Sequence, residues 1–267
     1  MKTETITSAQ NPKFKNLLLL QEKSKARREQ GLFVVEGRRE LEHCLEAGFR
    51  ARTLFVREDL LPGLEPLATQ AGCPVILLSP ALYAKAAYRD GTEGVIAEVE
   101  VRERRLEDLA LSEHPLVVVL ESVEKPGNLG AVLRSADAAR ADAVIVCDPL
   151  TDLWNPNLIR ASIGAVFTVP TVCASSAETI DWLKSRGIRI LTAQLQDSHL
   201  YYDTDMTCGT AIVMGTEHNG LTDQWRRAAD AHIRIPMLGQ IDSLNVSVSA
   251  AILMFEAVRQ RHGLSNG

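Results

Sequence analysis

Apolar positions follow two different rhythms along the 267-residue chain. From Leu116 onward, continuous apolar runs recur: LVVVL (116–120), AVIV (143–146), IRIL (188–191), AIVMG (211–215) and HIRIP (232–236). Runs without polar alternation fit strands buried on both faces, as in a parallel sheet covered by helices. Helical stretches separate and follow them, near 128–140, 157–165, 177–186, 220–229 and 244–262. The pattern predicts a three-layer α/β domain with its site at the carboxyl ends of the strands.

Upstream of Leu116 the elements are shorter and mixed. Asn11 is placed to cap a helix, Pro12 suits its first position, and Gly31 follows its end. Phe14, Leu17, Leu18 and Gln21 define one face of that helix. LFVVEG (32–37), TLFV (53–56), PVILLS (74–79) and GVIAEVE (94–100) read as strands, and Leu41, Cys44 and Leu45 form a helical stripe ending at Gly48. This predicts a small α/β domain over residues 1–105 and a linker over 106–115, within the charge-rich VRERRLEDLALSEHP. The second domain then covers 116–267.

Composition narrows the class. With 46% hydrophobic and 24% charged residues the chain resembles an ordinary globular protein. No stretch approaches the roughly 20 apolar residues that span a bilayer, and MKTETITSAQNPKFK at the N-terminus has no apolar signal core. The expectation is a cytoplasmic protein with no membrane contact. Five scattered cysteines form no CxxC pair, so they read as free thiols, mostly small core residues. Six histidines show no ligand-like spacing, and no metal is expected.

Charge is unevenly distributed. Residues 1–39 hold nine Lys and Arg against four Glu, a local balance of +5, so the remainder carries −10 within a net −5. Lys23, Lys25, Arg27, Arg28 and Arg38 are candidate contacts to nucleic-acid phosphates. A solvated helix face, with cations favoured by the helix dipole, explains the same cluster without a ligand.

Three strand-end loops carry unusual polar density. ESVEKPGNLGAVLR (121–134) is neither GxGxxG nor a P-loop, which weakens dinucleotide and nucleoside-triphosphate binding. It holds Asn128, placed to cap a helix, and Arg134 about 1.7 turns further on. MGTEHNGL (214–221) brings two glycines, Glu217 and Asn219. IPMLGQIDSLNVSVSAAILMFEAVRQR (235–261) enters a helix through Ser243, Leu244 and Asn245, with Ser243 as the expected cap and small residues for close packing. The chain shows neither a G-x-S-x-G elbow nor HExxH.

Together these blocks closely resemble the three motifs of the SpoU/TrmH group of SPOUT RNA methyltransferases. The first, Asn and Arg six apart, matches Asn128 to Arg134. The second matches Gly215-Thr-Glu217-His-Asn-Gly220-Leu221. The third matches Ile235-Pro236-Met237 through Ser243-Leu244-Asn245-Val246-Ser247, and all three stand in order within 116–262. FVVEGRRELEHCLEAG (33–48) is similar to the opening of the ribosomal-protein-like RNA-binding domain that precedes this catalytic domain in many members. Where relatives often have Pro-Gln-Gly before that domain's last strand, this chain has Thr92-Glu93-Gly94.

The resemblance implies S-adenosylmethionine as cofactor, a deep trefoil knot, a homodimer, and methyl transfer to a ribose 2′-hydroxyl. Ribosomal RNA is the first expectation for the substrate and transfer RNA the alternative. It assigns Asn128, Arg134, Glu217, Ser243 and Asn245 to the catalytic site. Cofactor contacts fall to Thr192, Ala193, Gly215, Ile235, Met237 and Leu244. A non-catalytic RNA-binding or ribosome-assembly factor on the same fold is a competing reading, and a nicotinamide-dependent Rossmann enzyme a weaker one.

Overall fold

A computed structural model describes residues 3–88, 93–216 and 219–263, and the chain divides into two compact units. The first comprises Met1–Arg102 with Asp152–Thr168, the second Glu103–Thr151 with Val169–Gly267.

The first unit begins with β1 (Thr3–Ile6), α1 (Pro12–Glu22), α2 (Ser24–Gln30), β2 (Leu32–Glu36) and α3 (Arg38–Glu46). It continues through β3 (Ala51–Arg57), α4 (Leu61–Ala71), β4 (Val75–Leu78), α5 (Pro80–Ala86) and β5 (Val95–Glu100). Its sheet runs β1-β4-β3-β5-β2, with β1, β4 and β3 parallel and β5 antiparallel to both neighbours. Phe14, Leu17 and Leu20 of α1 pack with Phe55, Ile76 and Ile96 of the sheet. The edge strand β1 is not predicted from the apolar pattern, because only Ile6 of its four residues is buried.

The N-terminal helix is not one piece. Asn11 accepts the Lys13 N–H at 2.9 Å, Pro12 opens α1, and Gly31 ends α2 at φ 62° as expected. Between them Lys23 is extended, at φ −110° and ψ 110°. Arg27 seals that break. Its guanidinium donates to the carbonyls of Leu20 (2.7 Å) and Gln21 (3.2 Å), which α1 leaves open at its end, and to Asp152 Oδ2 (2.7 Å). At 3% exposure Arg27 is structural, which corrects its assignment as an RNA contact. Lys23, Lys25, Arg28 and Arg38 are exposed or partly exposed.

The second unit starts with β6 (Leu116–Glu121), α6 (Pro126–Ala138) and β7 (Ala143–Cys147). The chain then supplies α7 (Pro156–Ser162) and α8 (Ala165–Thr168) to the first unit. There Trp154 stacks on Phe33 with ring centres 4.5 Å apart, and Arg160 lies 3.6 Å from the Glu36 carboxylate. The second unit resumes with β8 (Thr171–Ala174), α9 (Ser176–Ser185), β9 (Arg189–Ala193), β10 (His199–Leu200) and β11 (Thr210–Met214). It closes with α10 (Asp223–Ala228), β12 (Ala231–Arg234) and α11 (Val246–Gly263). Its sheet runs β10-β12-β9-β11-β6-β7-β8, parallel at every pair.

The charge-rich stretch before β6 is anchored rather than loose, since Leu106 and Leu109 are buried in the second core. Of the five cysteines, Cys44 and Cys147 are core residues, Cys73 and Cys208 are half-buried, and Cys173 is exposed. No helix among the described residues is long and apolar enough to cross a membrane.

Candidate active site

In a sheet whose strands are all parallel, every carboxyl end lies on one edge. β12, β9, β11 and β6 are consecutive in the sheet, so residues far apart in sequence leave it side by side. β6 leads to Asn128, β9 ends in Thr192 and Ala193, β11 runs into Gly215, and β12 runs into Ile235 and Met237.

Asn128 does not cap α6, contrary to the expectation from its place before an apolar run. Lys125 is the cap residue, Pro126 takes the first helical position, and Asn128 lies in the first turn. Its Oδ1 accepts a hydrogen bond from Asn245 Nδ2 at 3.1 Å, joining the first motif to the third. Asn245 in turn begins α11: its Oδ1 accepts from the Ser247 N–H (2.9 Å) and Oγ (2.6 Å). Its carbonyl accepts from Val248 and Ser249, each at 3.0 Å. The cap is therefore Asn245 and not Ser243, because the helix starts at Val246 and only its immediate neighbour reaches the second N–H. Ser243 is exposed, and its hydroxyl lies 3.5 Å from Asp242 Oδ1, at the limit of a hydrogen bond. α6 and α11 pack against each other, which carries the two asparagines into register.

Gly215 is fixed by space. A Cβ there would stand 2.2 Å from Gly220 C and O, and 2.6 Å from Leu221 N. The loop folds back at this point, with the Gly220 N–H on the Thr216 carbonyl (3.0 Å) and the Asn219 N–H on Thr216 Oγ1 (3.0 Å). On β9, Thr192 is fully buried, and its Oγ1 lies 2.6 Å from His232 Nδ1. Ala193, Ile235, Met237 and Leu244 are half-buried.

Asn128, Gly215 and Val246 line a cleft of about 310 Å3 together with Lys125, Thr216 and Asn219. The sequence analysis assigns none of these last three a role, although Thr216 and Asn219 lie within the second motif and Lys125 is three residues before Asn128. Arg134 is exposed on α6 and is not among the described residues that line the cleft. Glu217 lies outside the described residues. Cys147, at the end of β7, is no nucleophile, since burial pushes its thiol up to about 12.

The fold and this edge define an α/β protein with a cleft at the carboxyl ends of a parallel sheet. Residues 115–255 match the SpoU rRNA Methylase family, and residues 11–97 match the MRM3-like substrate binding domain. The chain is 36% identical over 229 residues to the 23S rRNA (guanosine-2'-O-)-methyltransferase RlmB of Vibrio parahaemolyticus, covering 83% of this chain and 92% of that one. A crystal structure described as an RNA 2'-O ribose methyltransferase is 42% identical, with a TM-score of 0.84 over 97% of this chain and 100% of that one. An AdoMet-bound rRNA methyltransferase from Sinorhizobium meliloti is 31% identical, with a TM-score of 0.89 over 96% of this chain and 98% of that one. The chain belongs to the SpoU rRNA methylase family.

Proposed function

We propose that this protein transfers the methyl group of S-adenosylmethionine to a ribose 2′-hydroxyl of ribosomal RNA. The observation that carries the reading is the convergence of the motif loops on one cleft, with Asn128 bonded to Asn245 and Gly215 in its wall. At about 310 Å3 the cleft is at the lower end of small-molecule sites, which span roughly 300–1,000 Å3. The tight glycine turn at Gly215 leaves main chain rather than side chain facing that space, which suits a cofactor held by backbone groups.

When bound, S-adenosylmethionine supplies an electrophilic methyl group on a sulfonium. The main chain at Gly215, Ile235, Met237 and Leu244, with Thr192 and Ala193, holds the cofactor. Asn128 and Asn245 orient the ribose, and Glu217 and Ser243 are the polar groups for the site or the cofactor's charged end. Positioning of this kind supplies about 7–11 kcal/mol of barrier reduction. Arg134 grips a phosphate with its planar fork and stabilises the developing alkoxide. A guanidinium loses its proton only above about pH 12, so Arg134 is a poor base. Arg134→Lys is expected to lower kcat by about 100- to 1,000-fold, the usual loss for one such donor. Near-wild-type turnover of this variant in a methyl-transfer assay rejects both roles.

Arg134 acts from the partner subunit of a homodimer, which accounts for its place outside the cleft lining. Val248 and Phe255, two turns apart on α11 and each 47% exposed, offer an apolar face for that association. The trefoil knot implied by the family resemblance is part of the same reading, as is a cytoplasmic place of action. Ribosomal RNA is preferred to transfer RNA because two of the three similar proteins named above are described as rRNA methyltransferases.

The first unit binds the RNA, in keeping with its match to a substrate-binding domain. Its contacts are Lys23, Lys25, Arg28 and Arg38. Glu42, hydrogen-bonded to Arg38 at 2.8 Å, pushes that guanidinium's pKa further up. Neutralising these four residues is expected to weaken RNA binding and flatten its salt dependence, by roughly one slope unit for each phosphate interaction removed. An unchanged slope in filter binding across salt concentrations returns the cluster to a solvated face.

Calorimetric titration with S-adenosylmethionine, with NADH and NADPH as controls, tests the cofactor. One saturable site per protomer is expected. Binding of a nicotinamide instead overturns the reading.

A further inference from the structure

We propose that Glu121 and Thr222 form a clamp that sets the opening of the active-site cleft, with Glu121 as a positioning residue for the reaction. The inference rests on the methyltransferase reading above. Glu121 is the last residue of β6 and is 2% exposed. Its carboxylate straddles Thr222: Oε1 accepts from Thr222 Oγ1 at 2.6 Å and Oε2 from the Thr222 N–H at 2.8 Å. Charge-assisted bonds in a water-excluded place are among the stronger and more directional ones available to a protein.

The two residues lie where the two walls of the cleft leave the scaffold. One wall follows Glu121 directly and contributes Val123, Lys125 and Asn128; the other contributes Gly215, Thr216 and Asn219, and the chain returns to the scaffold at Leu221 and Thr222. Glu121 thus ties the root of the first wall to the end of the second. Thr222 stands at the N-cap of α10, yet its hydroxyl makes no capping bond and is given to Glu121 instead.

The clamp is itself braced from α9 and α10. Ser176 Oγ lies 3.3 Å from Glu121 Oε1, donates to Asp148 Oδ2 at 2.6 Å and accepts from Trp225 Nε1 at 3.0 Å. Ser122, between Glu121 and the near wall, is held at φ 53°, a left-handed conformation that a serine keeps where its surroundings impose it. Its N–H is fixed on the Cys147 carbonyl at 2.9 Å. None of these residues is among the described ones that line the cleft, so the network acts on the reaction through the loops it aims.

Thr222→Val is nearly isosteric and keeps the N–H bond while removing the hydroxyl. The expected result is a roughly tenfold loss of S-adenosylmethionine affinity and a comparable fall in kcat, with the thermal midpoint shifted by only a few degrees. Thr222→Ser restores both. Glu121→Gln retains a partner for each Thr222 donor or acceptor and falls between wild type and Thr222→Val. In the Glu121→Ala background, Thr222→Val adds nothing further. Should Thr222→Val bind the cofactor and turn over within twofold of wild type, the clamp is wrong. Should the wild-type protein itself bind no S-adenosylmethionine, the methyltransferase reading fails instead. A lowered thermal midpoint without any change in cofactor affinity at 20 °C assigns the network to stability alone and overturns the proposal.

Discussion

Gly215→Ala is expected to abolish S-adenosylmethionine binding and to lower the thermal midpoint by several degrees. The added methyl group would meet Gly220 C and O at 2.2 Å and Leu221 N at 2.6 Å. Those neighbours are backbone atoms, and the antiparallel bridge between Thr216 and Gly220 holds them in place. Relief requires moving the whole turn away from β11, at a cost of about 1–3 kcal/mol or more. For a chain of this size, each 1 kcal/mol lowers the midpoint by roughly 2–4 °C. The displaced turn includes Thr216 and Asn219, which line the cleft. Calorimetry and thermal unfolding of the same sample check both effects. Wild-type cofactor affinity in Gly215→Ala removes this turn from the binding site.

Asn245→Ala carries the second large effect, because one side chain does two jobs. It caps α11 through the Ser247 N–H and donates to Asn128 Oδ1. Loss of the cap costs about 0.5–2 kcal/mol of stability. Loss of the bridge removes the Asn245 contact that helps to place the Asn128 side chain, and misplacement of a positioning group by about 1 Å costs on the order of 100-fold in rate. Asn245→Ser separates the two jobs. Serine caps as well as asparagine does, but it is too short to bridge to Asn128. The expected outcome is stability near wild type with turnover still down by on the order of 100-fold. Full turnover in Asn245→Ser would show that the Asn128–Asn245 bond has no part in catalysis.

The parts of the fold legible in the sequence are those in which one local pattern dominates. The buried strands of the second sheet stand out as unbroken apolar runs, because parallel strands covered on both faces have no polar side to show. The edge strands β1 and β10 leave no such trace. β1 buries one residue of four, and β10 is two residues long, so neither has a period to read. The break at Lys23 is hidden for a different reason. Residues 12–30 contain no Gly and no Pro past the first position, and what ends α1 is Arg27 reaching back to its terminal carbonyls. The same interaction explains why Arg27 reads as a solvated cation: its partner Asp152 is supplied from the far side of β7.

At the site, the motifs pick out loops that converge on the cleft, but not the work of each residue within them. Ser243 and Asn128 both read as helix caps, whereas the caps are Asn245 and Lys125. Boundaries shift by two or three residues under packing between α6 and α11, which no single helix encodes. Glu121 shows no signal beyond ending an apolar run. Its importance appears only when sheet order puts β6 beside β11 and brings Thr222 within reach.

The most direct test of the account is transfer of a labelled methyl group from S-adenosylmethionine to ribosomal RNA by the purified protein. Nuclease digestion of the product and separation of its nucleosides then locate the label. The account predicts label in a single 2′-O-methylated nucleoside, entering on the order of 100-fold more slowly in Asn245→Ser. Label on a base, or cofactor binding with no transfer to ribosomal RNA either naked or in a partly assembled subunit, would contradict it.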